Sequence, residues 1–234
     1  PAFRFGAKVW RRFTHERDAA YTAAEVGEAR AALDRLQAEG RLGAALLQFP
    51  WSFKREEANE EWLRGLFRAF AGLPLVVEVR HASWDAPEVL AELAEAGVGI
   101  VNVDQPLFRG SLRPAAHVTS PVAYVRVHGR NTRDWFREGA GRDARYDYLY
   151  SAGELEPWAT RVRQLASAKV PAASPAAAAV PDVYVVTNNH FRGQAVANAK
   201  MLEAMVEGHE VEAPPELLRA FPEALRPWAR PGAS

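Results

Sequence analysis

Hydrophobic and polar positions alternate between two periods along the chain. The period of a strand and the period of a helix take turns about six times. Phe3–Val9 reads as the first strand. Ala24 to Ala38 follows as a helix, with Val26, Ala29, Leu33 and Leu36 on one stripe and Gly40 ending it. Gly43–Phe49 is a second strand, closed by Pro50. Glu56–Phe70 is a second helix, turning Trp62, Leu63, Leu66, Phe67 and Phe70 inward, and Gly72 and Pro74 mark its end. Leu75, Val76, Val77 and Val79 form the apolar run of a strand covered on both faces. Pro87–Ala96 is the third helix and Val98–Val103 the fourth strand, which runs into Asp104. No long helix is evident after it, and Arg109–Pro121 reads as loop. Val122–Val127 is the fifth strand. After a long polar segment, Gly129–Tyr150, the capping-box pair Ser151 and Glu154 opens a helix carrying Leu155, Trp158, Val162 and Leu165 inward. Lys169–Pro181 has no periodic face and reads as a low-complexity linker. Val183–Thr187 is the sixth strand, and the last strong helix spans about Gly193–Val206.

Alternation of this kind implies right-handed βα units and a parallel sheet. An open doubly wound sheet and a closed barrel both satisfy it. The polar ends of the strands favour the barrel. Lys8, Gln48, Glu78 with Arg80, Asp104, Arg126 with His128, and Asn188 with Asn189 come from all six predicted strands. A barrel gathers its strand C-termini at one mouth, whereas an open sheet separates the outermost ones. The expected fold is therefore α/β, a TIM-barrel-like (βα) repeat with about six of eight units in this chain. The start at Pro1, almost inside a strand, suggests that about two units lie upstream. The domain reading is one barrel domain over 1–208 and a proline-rich tail, 209–234, packed on it through Phe221, Leu225 and Trp228.

Composition narrows the function classes. Lys plus Arg and Asp plus Glu are 29 each among 234 residues, which argues against a general nucleic-acid coat. There is no cysteine, so disulfides and thiolate metal sites are excluded. No apolar run reaches the ~18 residues that span a bilayer, and no signal peptide is evident. The expected location is cytoplasmic, with no membrane partner. Oligomeric state is not legible.

Several segments in order resemble the YecE-like family of uncharacterised proteins, the domain-of-unknown-function 72 group. They are LLQFPWSF (46–53), VVEVRHASW (76–84), IVNVD (100–104), YVRVHGR (124–130), YDYLYSAGEL (146–155) and TNNHFRGQAVANAKML (187–202). The resemblance implies a TIM barrel distantly similar to sugar isomerases and to a barrel family of metal-dependent endonucleases. It carries no established reaction. Family members usually begin with a Gly-Thr-Ser-Gly-Trp strand and a second strand ending in Asn-Ser-Thr-Phe-Tyr. Neither is present here, which fits two missing units. His190 stands where an acidic or amide residue is more usual, and Thr187 replaces an aromatic.

The candidate chemistry sits on the strand ends. Glu78 and Arg80 share a face at period two, as do Arg126 and His128. One reading makes Glu78 a base, His128 an acid/base group and Asp104 a third catalytic residue. Lys8, Arg80 and Arg126 then clamp an anionic substrate, a sugar phosphate or a nucleotide. Gln48, His81, Trp84, Arg130, Asn188 and Asn189 complete the binding set. The competing reading is a structural salt bridge and packing histidines, with Asn198 locking the last unit and Trp51 and Trp84 packing the rim. Glu78, His81, Asp104, His128 and His190 could hold a metal, but no pair has a diagnostic spacing. A divalent metal is therefore not favoured, and no cofactor is assigned. The alternative function is nucleic-acid binding or a metal-dependent nuclease. It would use the loop 129–150, where Arg130, Arg133, Arg137, Arg142 and Arg145 interleave with Trp135, Tyr146, Tyr148 and Tyr150. A third reading is a non-catalytic ligand-binding barrel.

Overall fold

The computed structural model describes residues 3–133, 137, 144–179 and 181–232. Among these, six strands make the main sheet: β1 (Phe5–Lys8), β2 (Leu42–Gln48), β3 (Leu75–Glu78), β4 (Gly99–Asp104), β5 (Val122–Val127) and β6 (Asp182–Thr187), while Val211–Ala213 and Ala229–Pro231 pair separately as a small parallel ribbon. Each pairs in parallel with the next, in the order β1-β2-β3-β4-β5-β6. A doubly wound sheet would reverse its strand order at some point. This one does not, and it curls into a half-barrel. Arg4, just before β1, reaches Asp182 at the start of β6 at 2.8 Å and the Tyr184 hydroxyl at 3.3 Å. β1 and β6 do not pair with each other.

The helices form because their ends are satisfied locally. In α1 (Ala23–Ala38) the Thr22 hydroxyl accepts from Glu25 N at 3.2 Å. The Glu25 carboxylate accepts from Thr22 N at 2.7 Å, a closed capping box. The helices α2 (Glu57–Ala69) and α3 (Pro87–Glu95) follow, the latter opened by Pro87 in its first turn. The expected capping box of Ser151 and Glu154 starts α4 (Ala152–Ser167). The last long helix is α5 (Gln194–Glu207). After β4 no helix forms. The Asn102 amide instead clamps the passing chain like a strand neighbour, accepting from His117 N at 2.8 Å and donating to its carbonyl at 3.0 Å.

Two apolar layers lie between sheet and helices. One joins Leu47, Val77 and Ile100 to Leu33, Leu63, Leu66 and Leu93. The other joins Val125 and Val127 to Leu155, Trp158, Leu165, Met201 and Leu202. Val211, Ala213, Leu225 and Ala229, from the chain after Gly208, are buried in the second layer. Inside the curl, Ala44, Leu46, Val76, Val101, Val103 and Tyr124 fill the base of the half-barrel. Tyr184 lies so close to Gly43 that a Cβ there would sit 2.8 Å from its ring, so a larger residue would displace the ring from the inside of the curl.

The described part of the linker, 169–179, lies at the N-terminal end of the sheet. Pro175 packs on Gly97, the turn into β4, and shares a shallow cavity with Gly72, Pro74 and Ser120. The strand C-termini are thus kept clear of it, as its position before a strand requires.

Candidate functional site

Strand parity decides which polar residues meet. In β3, Leu75 and Val77 face the helices, so Val76, Glu78 and Arg80 face the inside. In β5, Val125 and Val127 face outward and Tyr124, Arg126 and His128 inward. Backbone pairing continues just past the strands: Phe49 N donates to Glu78 O, His128 N to Asp104 O and Asn188 N to Val127 O, at 2.7–2.9 Å. The residues at these ends are therefore held as firmly as the strands.

Glu78 is the hub. It is fully buried. Arg80 Nε donates to its Oε1 at 2.9 Å, with Nη2 at 2.7 Å from the same oxygen. Arg126 Nη1 donates to Oε2 at 2.6 Å and to Gln48 Oε1 at 2.9 Å. His128, also fully buried, places Nε2 3.1 Å from Oε1. Asn188 Nδ2 lies 3.0 Å from His128 Nδ1 and donates to it, which assigns the imidazole proton to Nε2 and directs it at Glu78. Arg80 Nη2 packs 3.3 Å from that same Nε2. Burial, above all, pushes the His128 pKa down to about 4. The attraction of Glu78 opposes this, and the Arg80 and Arg126 charges add to it. Burial also works against the Glu78 carboxylate, but His128, Arg80 and Arg126 prevail and hold its pKa well below 4.5. At neutral pH the centre is one carboxylate, two guanidiniums and a neutral imidazole.

Lys8, on the same inner face of β1, extends the positive charge. Its pKa is lowered by burial first, then by Arg126 and Arg80, while Glu78 opposes. It borders a cleft of about 630 Å³ that Arg11, Thr14, His15, Gln48 and Arg145 also line. Gln48 thus touches both the cleft and Arg126. The buried Nε of Arg126, a side chain 2% exposed, has no acceptor among the described residues.

Other sequence candidates are placed elsewhere. Asp104 lies on the outward parity of β4, with Val101 and Val103 turned inside. There Arg130 grips it with Nη2 and Nε at 3.0 Å, and the Tyr150 hydroxyl donates to it. Asp104 and Arg130 therefore form a second cluster, apart from Glu78. Trp84 is core: it stacks on Phe53, and its indole nitrogen donates to the Phe53 carbonyl at 2.8 Å. Asn189 is buried and donates to Tyr148 O and Asn198 Oδ1, both at 2.7 Å. His81 stands at the rim, its Nδ1 taken by Ser83 and its ring against Trp51. His190 faces Tyr146. Among the described residues no group of three or more His, Asp or Glu could hold a metal ion. Of the loop 129–150, Asp134–Phe136 and Glu138–Asp143, with Trp135 and Arg142, lie outside the described residues.

Asn198 has the locking role suggested by its position. It accepts from Tyr150 N and donates to Tyr150 O, both at 3.0 Å, besides accepting from Asn189. Asn198→Ala strands three buried partners, so a loss of about 2 kcal/mol is expected. Urea unfolding measures it, and a change within error of zero would count against the lock.

Sequence reasoning missed His15 as a site residue. The signal was local: Arg11 and His15 are four apart in the turn that follows β1, and His15 N donates to Arg11 O at 2.8 Å.

A parallel half-barrel with a charged, buried centre at its strand C-termini defines an α/β protein of TIM-barrel-like architecture. The chain belongs to the family described as protein of unknown function DUF72, whose sequence model matches residues 1–222. A DUF72 family protein of Thermotoga maritima, TM1631, is 33% identical with a TM-score of 0.76, over 88% of this chain and 74% of that one. A DUF72 family protein of Enterococcus faecalis, EF0366, is 25% identical with a TM-score of 0.71, again over 88% and 74%. Comparison with curated proteins finds no match. No helix among the described residues is long and apolar enough to cross a membrane.

Proposed function

We propose that this chain is a barrel-type enzyme that acts on a small anionic substrate, a sugar phosphate or a nucleotide, by acid–base chemistry at the strand C-terminal mouth. One observation carries the reading. Lys8, Arg80 and Arg126 converge on the inner face, where Arg80 and Arg126 pair with Glu78 and Lys8 feels its charge without an ion pair. Among the described residues, three cations against one anion leave a net positive, partly desolvated site. The unmet Nε of the buried Arg126 adds a donor awaiting an acceptor. Charge-assisted hydrogen bonds to phosphate or carboxylate are the strongest polar contacts such a site can make.

Glu78 and His128, assigned to proton transfer on sequence grounds, fit another role better. A carboxylate held by two guanidiniums is a weak base, and a fully buried imidazole lies behind it. In this reading both position Arg80 and Arg126. Proton transfer then falls to a group that reaches the cleft.

The test is a thermal-shift panel of inorganic phosphate, sugar phosphates and nucleotides, followed by turnover assays on those that bind. The unfolding midpoint is expected to rise with at least one phosphorylated compound, and less so at high salt because the contacts are ionic. A protein indifferent to every anion, yet stabilised by divalent metal, would overturn the proposal.

A further inference from the structure

The turn after β1 is built to present side chains to the cleft. Phe13 is fully buried, and its carbonyl accepts from the Trp62 indole at 2.8 Å. Arg12 is spent on structure. It pairs with Glu25 at 2.8 Å and donates to the carbonyls of Glu16, Ala19 and Ala20. With those two neighbours fixed, Arg11, Thr14 and His15 line the cleft opposite Gln48 and Arg145. Thr14 is 2% exposed, and its hydroxyl lies 2.8 Å from His15 Nδ1, which orients the imidazole. His15 itself is exposed. Arg11 is partly neutralised by Glu16 at 2.9 Å. Among the described residues, Lys8 and Arg145 have no carboxylate within ion-pair distance, and none of those lining the cleft is acidic.

We infer that this cleft is a phosphate-monoester site in which Lys8 and Arg145 hold the dianion and His15, oriented by Thr14, binds it as a proton donor. The inference rests on the anionic-substrate reading above and names where the anion sits and which group titrates against it. Among positive neighbours and without an anion, the imidazole is the neutral form at pH 7. Its pKa is lowered by burial first and then by Arg11, Arg80, Lys8 and Arg17. A bound dianion reverses the local sign, so His15 takes one proton from solvent as the anion enters. The imidazolium then stands as a charged donor beside the substrate, the acid that the buried Glu78 and His128 do not supply.

The experiment is an NMR titration of the histidine ring signals of the whole chain from about pH 5 to pH 8, with and without inorganic phosphate. His15→Gln assigns the His15 signal. Without phosphate the His15 midpoint should lie below 6.5, and with saturating phosphate it should rise by roughly one pH unit or more. Lys8→Ala and Arg145→Ala, both at exposed positions, should each weaken phosphate binding by on the order of tenfold. Phosphate that binds while the His15 midpoint stays put and both variants bind as the wild type does would place the anion elsewhere, against Arg126. That result overturns this inference and leaves the anionic-substrate reading standing. Failure of phosphate and phosphate monoesters to bind at all would remove both.

Discussion

Glu78→Gln is expected to destabilise the protein by about 3–5 kcal/mol, because it leaves two guanidiniums buried around a neutral amide. Glutamine keeps the volume and one acceptor, so the loss reports charge and not packing. Arg126 is nearly fully buried and cannot turn to water, whereas Arg80 is partly exposed and can relax. The cost should therefore fall when Arg126 is removed in the same chain. In a double-mutant cycle, Glu78→Gln with Arg126→Met should be more stable than the sum of the single losses implies. Urea unfolding at neutral pH is the measurement. A single-variant loss below about 1 kcal/mol would mean that water or another group compensates the guanidiniums, contrary to the closed hub described here.

Mild acid should weaken the fold through His128. The unfolded imidazole titrates near 6.5 and the folded one near 4. Between those values the unfolded chain holds a proton that the native chain does not, so stability falls as pH falls. The contribution is complete above about pH 6.5, is lost on the way to pH 4, and amounts to roughly 3 kcal/mol over the whole window. Glu78, also depressed, adds its own loss at lower pH, as protonation finally reaches the carboxylate. His128→Gln should remove the upper part of this dependence and leave the lower part. Unfolding free energies at pH 7 and pH 5 should differ by roughly 2 kcal/mol more in the wild type than in the variant. Equal pH dependence in both proteins would show that the buried imidazole is not the neutral species.

The fold was largely legible because each element announces itself locally. Pro50, Gly72–Pro74 and the Ser151/Glu154 box punctuate the chain where the structure does, and Val122–Val127 is a strand in both readings. The pairings Glu78–Arg80 and Arg126–His128 follow from period two alone. What the sequence does not state is which parity of a strand buried on both faces points inward. Its position at a strand end groups Asp104 with Glu78, yet Val101 and Val103 take the inside, and Asp104 serves Arg130 and Tyr150 instead. Its place after the charged run puts Trp84 in the expected binding set, with rim packing as the competing reading. The short helical turn Ala82–Trp84 folds it back onto Phe53. The contact of Arg126 with Glu78 and Gln48 spans strands distant in sequence and depends on the curl of the sheet, which no local pattern encodes. The spacing of Arg11 and His15 is a local sign of a turn, but only the fold brings that turn to the cleft that Lys8 and Gln48 line.

If the anionic-substrate proposal holds, the inner face of this half-barrel binds an anion. Diffraction from crystals soaked in selenate, a tetrahedral dianion with an anomalous signal, tests it most directly. The expected result is an anomalous peak within hydrogen-bond reach of Lys8 or of the Arg80 and Arg126 guanidiniums. A mouth without such a peak, in a crystal that binds selenate elsewhere on its surface, would mean that these cations do not form an anion site.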